Sequence, residues 1–194
     1  PMKLNIQYLQ QALKLNHPNV RDLTTRIAGS LIEQIDNLSY IASEFSNFAK
    51  MPEARPELLE LNETLERAVE LYLNKNNVTV TFLSWREPLG VFIDKSQLLR
   101  VCTNLIQNAI QAIPEGQAGR IELMLGRERQ NAILSVRDNG NGIPSQLRGN
   151  IFKPYFTTKT SGTGLGLAMT RKIIEFWKGA IWFETEEGKG TVFF

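Results

Sequence analysis

Four short signals, polar or glycine-rich, follow one another in a fixed order along this chain and constrain its fold more than any other feature. They read N-x-x-x-N at 104–108, D-N-G-N-G at 138–142, F-K-P-Y-F-T-T-K at 152–159 and G-T-G-L-G at 162–166. Each signal is weak by itself. Together, in this order and spacing, they make a strong pattern.

Asn104 and Asn108 lie in the apolar run 98–112 and are four residues apart, so on a helix they share one face. An amide oxygen is a hard neutral ligand of the kind that Mg²⁺ accepts beside water and substrate phosphates. The alternative is a helix cap or the polar edge of a core helix, and the pair alone does not exclude it.

Asp138 ends the apolar run 132–136 and enters a glycine turn. A carboxylate at the end of a strand can accept a hydrogen bond from an exocyclic amine. Gly140 and Gly142 have no Cβ, which predicts that backbone there can approach a flat ring. An ordinary Asp-Asn-Gly turn is the structural alternative.

The glycines at 162–166 precede the run 165–176, which has helical spacing. Backbone N–H groups at the start of a helix suit phosphate. The spacing is not that of the dinucleotide fingerprint, whose third glycine falls one residue later, and no Gly-Lys-Ser/Thr of a P-loop is present.

Together the four signals resemble the N, G1, F and G2 boxes of the histidine-kinase ATP-binding domain, in the gyrase/chaperone/histidine-kinase/mismatch-repair ATPase superfamily. Residues 188–191, Gly-Lys-Gly-Thr, resemble its last glycine box. The resemblance covers about residues 57–194. It is greatest to nitrogen-regulation-type sensor kinases, through the passage I-F-K-P-Y-F-T-T-K followed by G-T-G-L-G-L.

The resemblance implies ATP and Mg²⁺ as cofactors, with Asn108 as the Mg²⁺ ligand, Asn104 beside the phosphates and Asp138 accepting from the adenine N6 amine. Guanine presents a carbonyl at that place, and the unpaired acceptors would cost about 1–3 kcal/mol, which favours ATP over GTP. Phe152 matches the edge of a short lid at about 144–163. The other residues implied to contact the nucleotide are Gly140, Gly142, Ile143, Phe156, Thr157, Thr158, Lys159, Gly162, Thr163, Gly164, Leu165, Gly166, Leu167 and Thr191.

The function implied is that of the catalytic core of a two-component sensor histidine kinase. The γ-phosphoryl group would pass in line from Mg·ATP to a histidine nitrogen, and then to an aspartate on the receiver domain of a response regulator. The protein would contribute mainly positioning and charge neutralisation.

In the N-terminal part, 1–50, apolar residues recur at steps of three or four, and this spacing predicts two helices, at 2–14 and 20–49. Such a hairpin resembles the dimerisation and phosphoacceptor hairpin of histidine kinases, half of a dimeric four-helix bundle, and predicts a homodimer. His17 precedes a proline in the hairpin loop. The family's acceptor box would lie ahead of residue 1, so this stretch is expected not to phosphorylate itself on His17.

Two prolines predict a linker at 51–56, and residues 57–194 predict an α+β domain. We expect a two-layer sandwich of one mixed sheet with three helices on one face. The predicted elements are strands at 57–61, 78–82, 91–93, 121–125, 132–136, 181–184 and 191–194, and helices starting at Asn62, after the cap candidates Asp94 and Ser96, and at 165–176.

Composition excludes several classes of function. The net charge of +2 is too small to indicate binding to nucleic acid or to a membrane surface. No apolar run approaches the ~18 residues that span a bilayer, so no membrane contact is expected. The single cysteine, Cys102, is expected to fill the core and fits a reducing, cytoplasmic compartment. A single histidine excludes a histidine-cluster metal site.

Three other functions stay open at this point. Gyrase-type and mismatch-repair clamps place a glutamate base four residues before the Mg²⁺ asparagine, where this chain has Asn104. Serine kinases of the anti-sigma type share the fold but have no long preceding hairpin. A nucleotide-binding scaffold without catalysis is the third.

Overall fold

The computed structural model of the chain describes residues 2–15, 19–49, 53–72, 77–159 and 162–194. The chain forms two compact units, Pro1–Met51 and Pro52–Phe194. His17 in the predicted hairpin loop, most of the predicted turn at 74–77 and the start of the predicted linker lie outside the described residues.

The first unit consists of two helices, α1 (Met2–Lys14) and α2 (Val20–Ala49), which pack on each other as the apolar spacing predicts. Their shared core consists of Ala12, Leu23 and Ile27, with Leu9, Val20 and Leu31 packed around it. Two helices cannot bury every apolar side chain of such sequences. The large apolar residues that stay exposed are Leu4, Ile6, Tyr8, Leu13, Leu15, Ile32, Ile35, Leu38 and Phe45. No helix within the described residues combines the length and apolarity needed to cross a bilayer.

Within the described residues, the second unit contains seven strands and three long helices. The strands are β1 (Glu57–Glu60), β2 (Val78–Leu83), β3 (Gly90–Ile93), β4 (Gly119–Glu128), β5 (Asn131–Asp138), β6 (Phe183–Glu186) and β7 (Gly190–Phe193). The helices are α3 (Leu61–Glu70), α4 (Lys95–Ala112) and α5 (Gly166–Phe176), with a short 3-10 turn at Ser145–Leu147. These elements confirm the predicted α+β class.

The main sheet has five strands in the order β2-β4-β5-β7-β6. Only β2 and β4 run parallel, and the other neighbours are antiparallel, so the predicted mixed sheet is confirmed. In the register of β4 with β5, Ile121 faces Asp138. The end of β5 is thereby fixed next to the first residues of β4.

Two of the predicted strands do not join this sheet. β1 and β3 pair with each other, with Leu58 opposite Phe92. Each has four residues and continues almost at once into a helix, α3 or α4. Apolar alternation indicates that a segment is a strand but says nothing about its partner, so the sequence did not separate this small sheet from the main one.

The core lies between the main sheet and the helices on one of its faces. The alternating residues Ile121, Leu123 and Leu125 of β4 are almost completely buried. Leu125 packs in one cluster with Leu61, Leu65 and Ala68 of α3 and Cys102 of α4. Cys102 is therefore the core filler that the sequence predicted, and burial raises the pKa of its thiol to about 12.

Side-chain caps begin two of these helices. Asp94 caps α4, as predicted, and accepts hydrogen bonds from Gln97 N at 3.1 Å and Ser96 Oγ at 2.6 Å. The predicted start of α3 at Asn62 is one residue late. The helix begins at Leu61, and Glu60 is its cap, accepting from the backbone N–H of Asn62 and Glu63. The cap of α3 is thus the carboxylate of the last residue of β1.

Asp94→Ala is expected to lower the free energy of unfolding by about 1–2 kcal/mol, because it removes the cap and the acceptor for Arg55 N. The hydrogen bond from Ser96 and that from Arg55 N hold the pKa of Asp94 below its ordinary value despite burial. A lowered folded-state pKa means that this stabilisation is present above the unfolded-state pKa and is lost as pH falls through the folded-state pKa. Chemical denaturation at neutral and acidic pH measures the effect, with exposed Glu115→Ala as the control. A stability difference that persisted undiminished in acid would contradict this account.

Candidate functional site

Asp138, the last residue of β5, is the most buried carboxylate in the second part of the chain, with 6% of its surface exposed. Its Oδ1 accepts hydrogen bonds from Gly140 N at 2.8 Å and Thr191 N at 3.3 Å. Within the described residues, no donor reaches Oδ2. Burial raises the pKa of Asp138, and the two N–H donors oppose that rise. One carboxylate oxygen of Asp138 is thus held by the fold, and the described residues supply no donor to the other.

The two glycines after Asp138 are required by the chain itself. A Cβ at Gly140 would lie 2.5 Å from the carbonyl oxygen of Ala112, at the end of α4. Gly142 has φ +68°, and a Cβ there would collide with the carbonyl oxygen of Glu186. The sequence interpretation, that the missing Cβ lets backbone approach a flat ring, stays a prediction, and the structure adds a second reason for these glycines. The glycines let the turn pass between α4 and the β6–β7 hairpin.

The β6–β7 hairpin holds that turn through three further contacts. Gly188 N donates to Asn141 O at 2.8 Å, and Ile143 N donates to Thr185 Oγ1 at 2.9 Å. Ser145 N donates to the Glu187 carboxylate at 2.8 Å. Sequence reasoning did not identify Thr185 or Glu187 as site residues, because neither belongs to a recognisable box. Thr185 pairs with Thr191 in the register of β6 and β7, and this pairing is the feature from which its position beside the turn could have been inferred.

Asn104 and Asn108 both lie on α4, and each contacts a different segment. Asn104 Nδ2 donates to Gly166 O at 3.3 Å and lies 3.4 Å from Thr170 Oγ1. These contacts tie α4 to the first turn of α5. Asn108 Oδ1 instead accepts from Lys159 Nζ at 3.2 Å. The structure therefore brings the first and last of the four signals together through Asn104, and the first and third through Asn108.

Lys159 places a cation between two amide oxygens of α4. Its Nζ lies 3.2 Å from Asn108 Oδ1 and 2.5 Å from Gln111 Oε1. Partial desolvation of the ammonium lowers the pKa of Lys159. Gln111 lies three residues after Asn108, so both oxygens project from the same side of the helix. Gln111 was not among the predicted site residues.

The predicted lid contains residues of different kinds. Phe152 is half-buried and packs against Phe183 and Phe193, with ring centroids 6.0 and 6.4 Å apart, so it attaches this segment to β6 and β7. Phe156 is half-buried, whereas the residues that follow it, Thr157, Thr158 and Lys159, are exposed. The predicted contacts of Phe156, Thr157 and Thr158 with nucleotide stay predictions.

The last glycine-rich signal leads into α5. Gly164 has φ +66°, and a Cβ there would collide with the backbone carbonyl carbon of Tyr155. Leu165 N bonds to Thr163 Oγ1 at 3.3 Å, and the Leu165 side chain is 1% exposed. The Leu165 side chain is therefore a core group, while Gly162 is exposed and Gly166 and Leu167 are half-buried. Whether these residues touch a nucleotide stays a prediction.

Comparison with known proteins places this geometry in context. Residues 93–194 match the profile of the family described as histidine kinase-, DNA gyrase B-, and HSP90-like ATPase. Sporulation kinase C of Bacillus subtilis strain 168 is 32% identical over 188 residues, which are 94% of this chain and 42% of that protein. Nitrogen regulation protein NtrY of Azorhizobium caulinodans is 30% identical over 198 residues, 98% of this chain and 25% of that protein. The chain thus spans less than half the length of either relative.

Solved structures agree with these relatives. The catalytic domain of histidine kinase ThkA in a nucleotide-free form is 38% identical, with a TM-score of 0.64 over 72% of this chain and 92% of that one. ThkA in complex with the response regulator TrrA is 27% identical, with a TM-score of 0.70 over 99% of this chain and 57% of that one.

Proposed function

This chain belongs to the histidine kinase-, DNA gyrase B- and HSP90-like ATPase family, and we propose that its second unit binds ATP and donates the γ-phosphoryl group to a protein histidine. The phosphoryl group would then pass to an aspartate on the receiver domain of a response regulator. Among its relatives, sensor histidine kinases support this branch of the family, and one similar kinase was solved with its response regulator.

The observation that carries the proposal is the arrangement at Asp138. Its Oδ1 is committed to Gly140 N and Thr191 N, so the carboxylate cannot turn away, and Oδ2 remains to accept a hydrogen bond. The adenine N6 amine supplies the donor that such a buried acceptor needs. A guanine carbonyl would face it with a second acceptor, which leaves both groups unpaired.

The position of Asn104 favours phosphoryl transfer to a protein over hydrolysis by a gyrase-type clamp. Such a clamp needs a general base four residues before Asn108. An amide is no base at neutral pH, and the Asn104 amide is already engaged with Gly166 O and close to Thr170. A nucleophile with its own lone pair, such as an imidazole nitrogen, does not need a base here.

A divalent cation fits beside Asn108. The Lys159 ammonium already lies against Asn108 Oδ1 and Gln111 Oε1, so these oxygens suit a positive charge. We propose that Asn108 is a Mg²⁺ ligand when nucleotide is bound. The ion would then neutralise charge on the transferring phosphates. Asn108 fixes the place of the cation, Gln111 offers a second oxygen, and Lys159 is free to move toward the phosphates.

Asp138→Asn is expected to weaken binding of ADP by about 5- to 150-fold, since an amide N–H would meet the adenine amine at a cost of about 1–3 kcal/mol. The same change should leave stability at neutral pH unchanged or raised. The folded-state pKa of Asp138 is raised, so its contribution to stability is present below the unfolded-state pKa and is lost as pH rises through the folded-state pKa.

Isothermal calorimetry and thermal melting measure the two effects on Asp138→Asn, with exposed Glu184→Gln as the control. If the wild type bound no ADP at millimolar concentration, the proposed function would be wrong. Unchanged affinity in a folded Asp138→Asn variant would remove Asp138 from the site.

Asn108→Ala is expected to abolish the difference between ADP binding with Mg²⁺ and binding with a chelator, because the cation loses its fixed protein oxygen. Nucleotide affinity without Mg²⁺ should change little. Calorimetry in both buffers gives the ratio, and exposed Asn131→Ala is the control. If Asn108→Ala kept the wild-type ratio of ADP affinity with Mg²⁺ to ADP affinity with a chelator, Asn108 would be excluded as the Mg²⁺ ligand.

We further propose that the first unit forms a homodimer. Its two helices leave a set of large apolar side chains exposed, including Ile35 at 54% and Leu38 at 56%. A second copy supplies an apolar face of the same kind and completes a four-helix bundle. Association through this face would bury the apolar side chains of α1 and α2 that the two-helix hairpin alone leaves exposed.

Sedimentation equilibrium of the wild type is expected to give about twice the chain mass of 22.0 kDa. Leu38→Glu should shift the protein toward the monomer, because it places a charge on the apolar face. Ser39→Glu, on the neighbouring exposed residue, is the matched control. A monomeric wild type at the highest accessible concentration would count against the dimer.

A further inference from the structure

We propose that Thr185 is a positioning residue that sets the base preference of the site, by fixing the direction in which the Thr191 hydroxyl donates its proton. The inference rests on the proposed nucleotide-binding function. It concerns a residue outside the four signals, on a strand that no binding box includes.

Three polar groups converge on the Thr185 hydroxyl. Ile143 N lies 2.9 Å from Thr185 Oγ1, Gly190 O lies 3.1 Å away and Thr191 Oγ1 lies 3.0 Å away. Thr185 and Thr191 are direct cross-strand partners in β6 and β7, so the register of the sheet holds the two hydroxyls together.

The chemistry of a hydroxyl decides how these three contacts are made. A threonine has one O–H donor and two acceptor lone pairs. Ile143 N–H can only donate, so it takes one lone pair of Thr185. Gly190 O can only accept, so it takes the proton of Thr185. The contact with Thr191 is then satisfied only if Thr191 donates to the second lone pair of Thr185.

The reverse direction is poorer by one hydrogen bond. If Thr185 gave its proton to Thr191, Gly190 O would lose its side-chain donor. The assignment that satisfies all three contacts therefore consumes the Thr191 proton inside the protein. Thr191 is 4% exposed, and its Oγ1 can then offer only lone pairs to any ligand beside it.

Thr191 is also joined to Asp138, since its N–H donates to Asp138 Oδ1. Asp138 Oδ2 and the Thr191 hydroxyl, on two residues joined by that bond, then offer acceptors to a ligand, and the described residues show no donor to Oδ2. An exocyclic amine, with two N–H groups, suits such a pair of acceptors. A carbonyl at the same place, as in guanine, finds no proton. Asp138 alone would favour an amine over a carbonyl through one oxygen, Oδ2. Thr185 strengthens this preference by keeping the Thr191 hydroxyl as a second acceptor.

Removing the Thr185 hydroxyl frees the Thr191 proton. In Thr185→Val, Thr191 can rotate and donate toward a bound carbonyl, so guanine should be tolerated better. One hydrogen bond contributes about 0.5–1.5 kcal/mol, so the ratio of ADP to GDP affinity is expected to fall by about two- to tenfold. Thr185→Ser retains the hydroxyl and should keep the wild-type ratio.

Calorimetric titration of wild type, Thr185→Val and Thr185→Ser with ADP and with GDP tests the proposal. A general loss of rigidity weakens both nucleotides together and leaves their ratio unchanged, whereas loss of proton direction changes the ratio. A wild-type ratio in Thr185→Val, or an equal fall in Thr185→Ser, would overturn the inference. In a Thr191→Val background, the additional change Thr185→Val should no longer alter the ratio.

Thr191→Val alone covers the case in which Thr185→Val does not fold. It removes the oriented hydroxyl itself and is expected to lower the ratio of ADP to GDP affinity. An unchanged ratio would overturn the inference. The proposed function fails separately, if the wild type binds neither nucleotide. Selective binding by the wild type, combined with an unaltered ratio in the Thr185 variant, rejects only the role of Thr185.

Discussion

The site depends on one buried oxygen, Asp138 Oδ1, which accepts from the N–H of Gly140 and of Thr191. Gly140 lies two residues further along the chain, whereas Thr191 lies on another strand. A single carboxylate oxygen therefore closes its own turn and attaches that turn to β7. A buried carboxylate is costly without donors, and these two N–H groups supply them. The same two hydrogen bonds hold the orientation of the carboxylate.

The β6–β7 hairpin extends this attachment on the far side of the turn. Thr185, Gly188 and Glu187 each bond to a different residue between Asn141 and Ser145. The turn is thus held at both sides, by α4 through Ala112 and by the hairpin. A small ligand that binds by a few polar contacts benefits from such rigidity, because little conformational entropy is lost on binding.

The edge of the predicted lid is held differently, by charge. Lys159 reaches from an exposed segment to Asn108 and Gln111 on α4, and no apolar side chain is needed for the contact. This attachment is polar and is made by an exposed side chain. It differs in this from the turn after Asp138, which is held by hydrogen bonds from the backbone to a buried carboxylate oxygen.

The sequence by itself determined the family, the order of the elements and the residues of the four signals, because these follow from local spacing and from side-chain chemistry. Asp94 as a cap and Cys102 in the core are examples that needed no long-range information. Tertiary structure decided what depends on chain segments far apart. It separated β1 and β3 from the main sheet. It also placed the backbone of Ala112 and Glu186 so close to Gly140 and Gly142 that a Cβ has no room there. It also brought Thr185 and Gln111, which belong to no motif, into contact with the predicted residues. The physical reason is that register and packing, which no local pattern contains, decide which distant atoms meet.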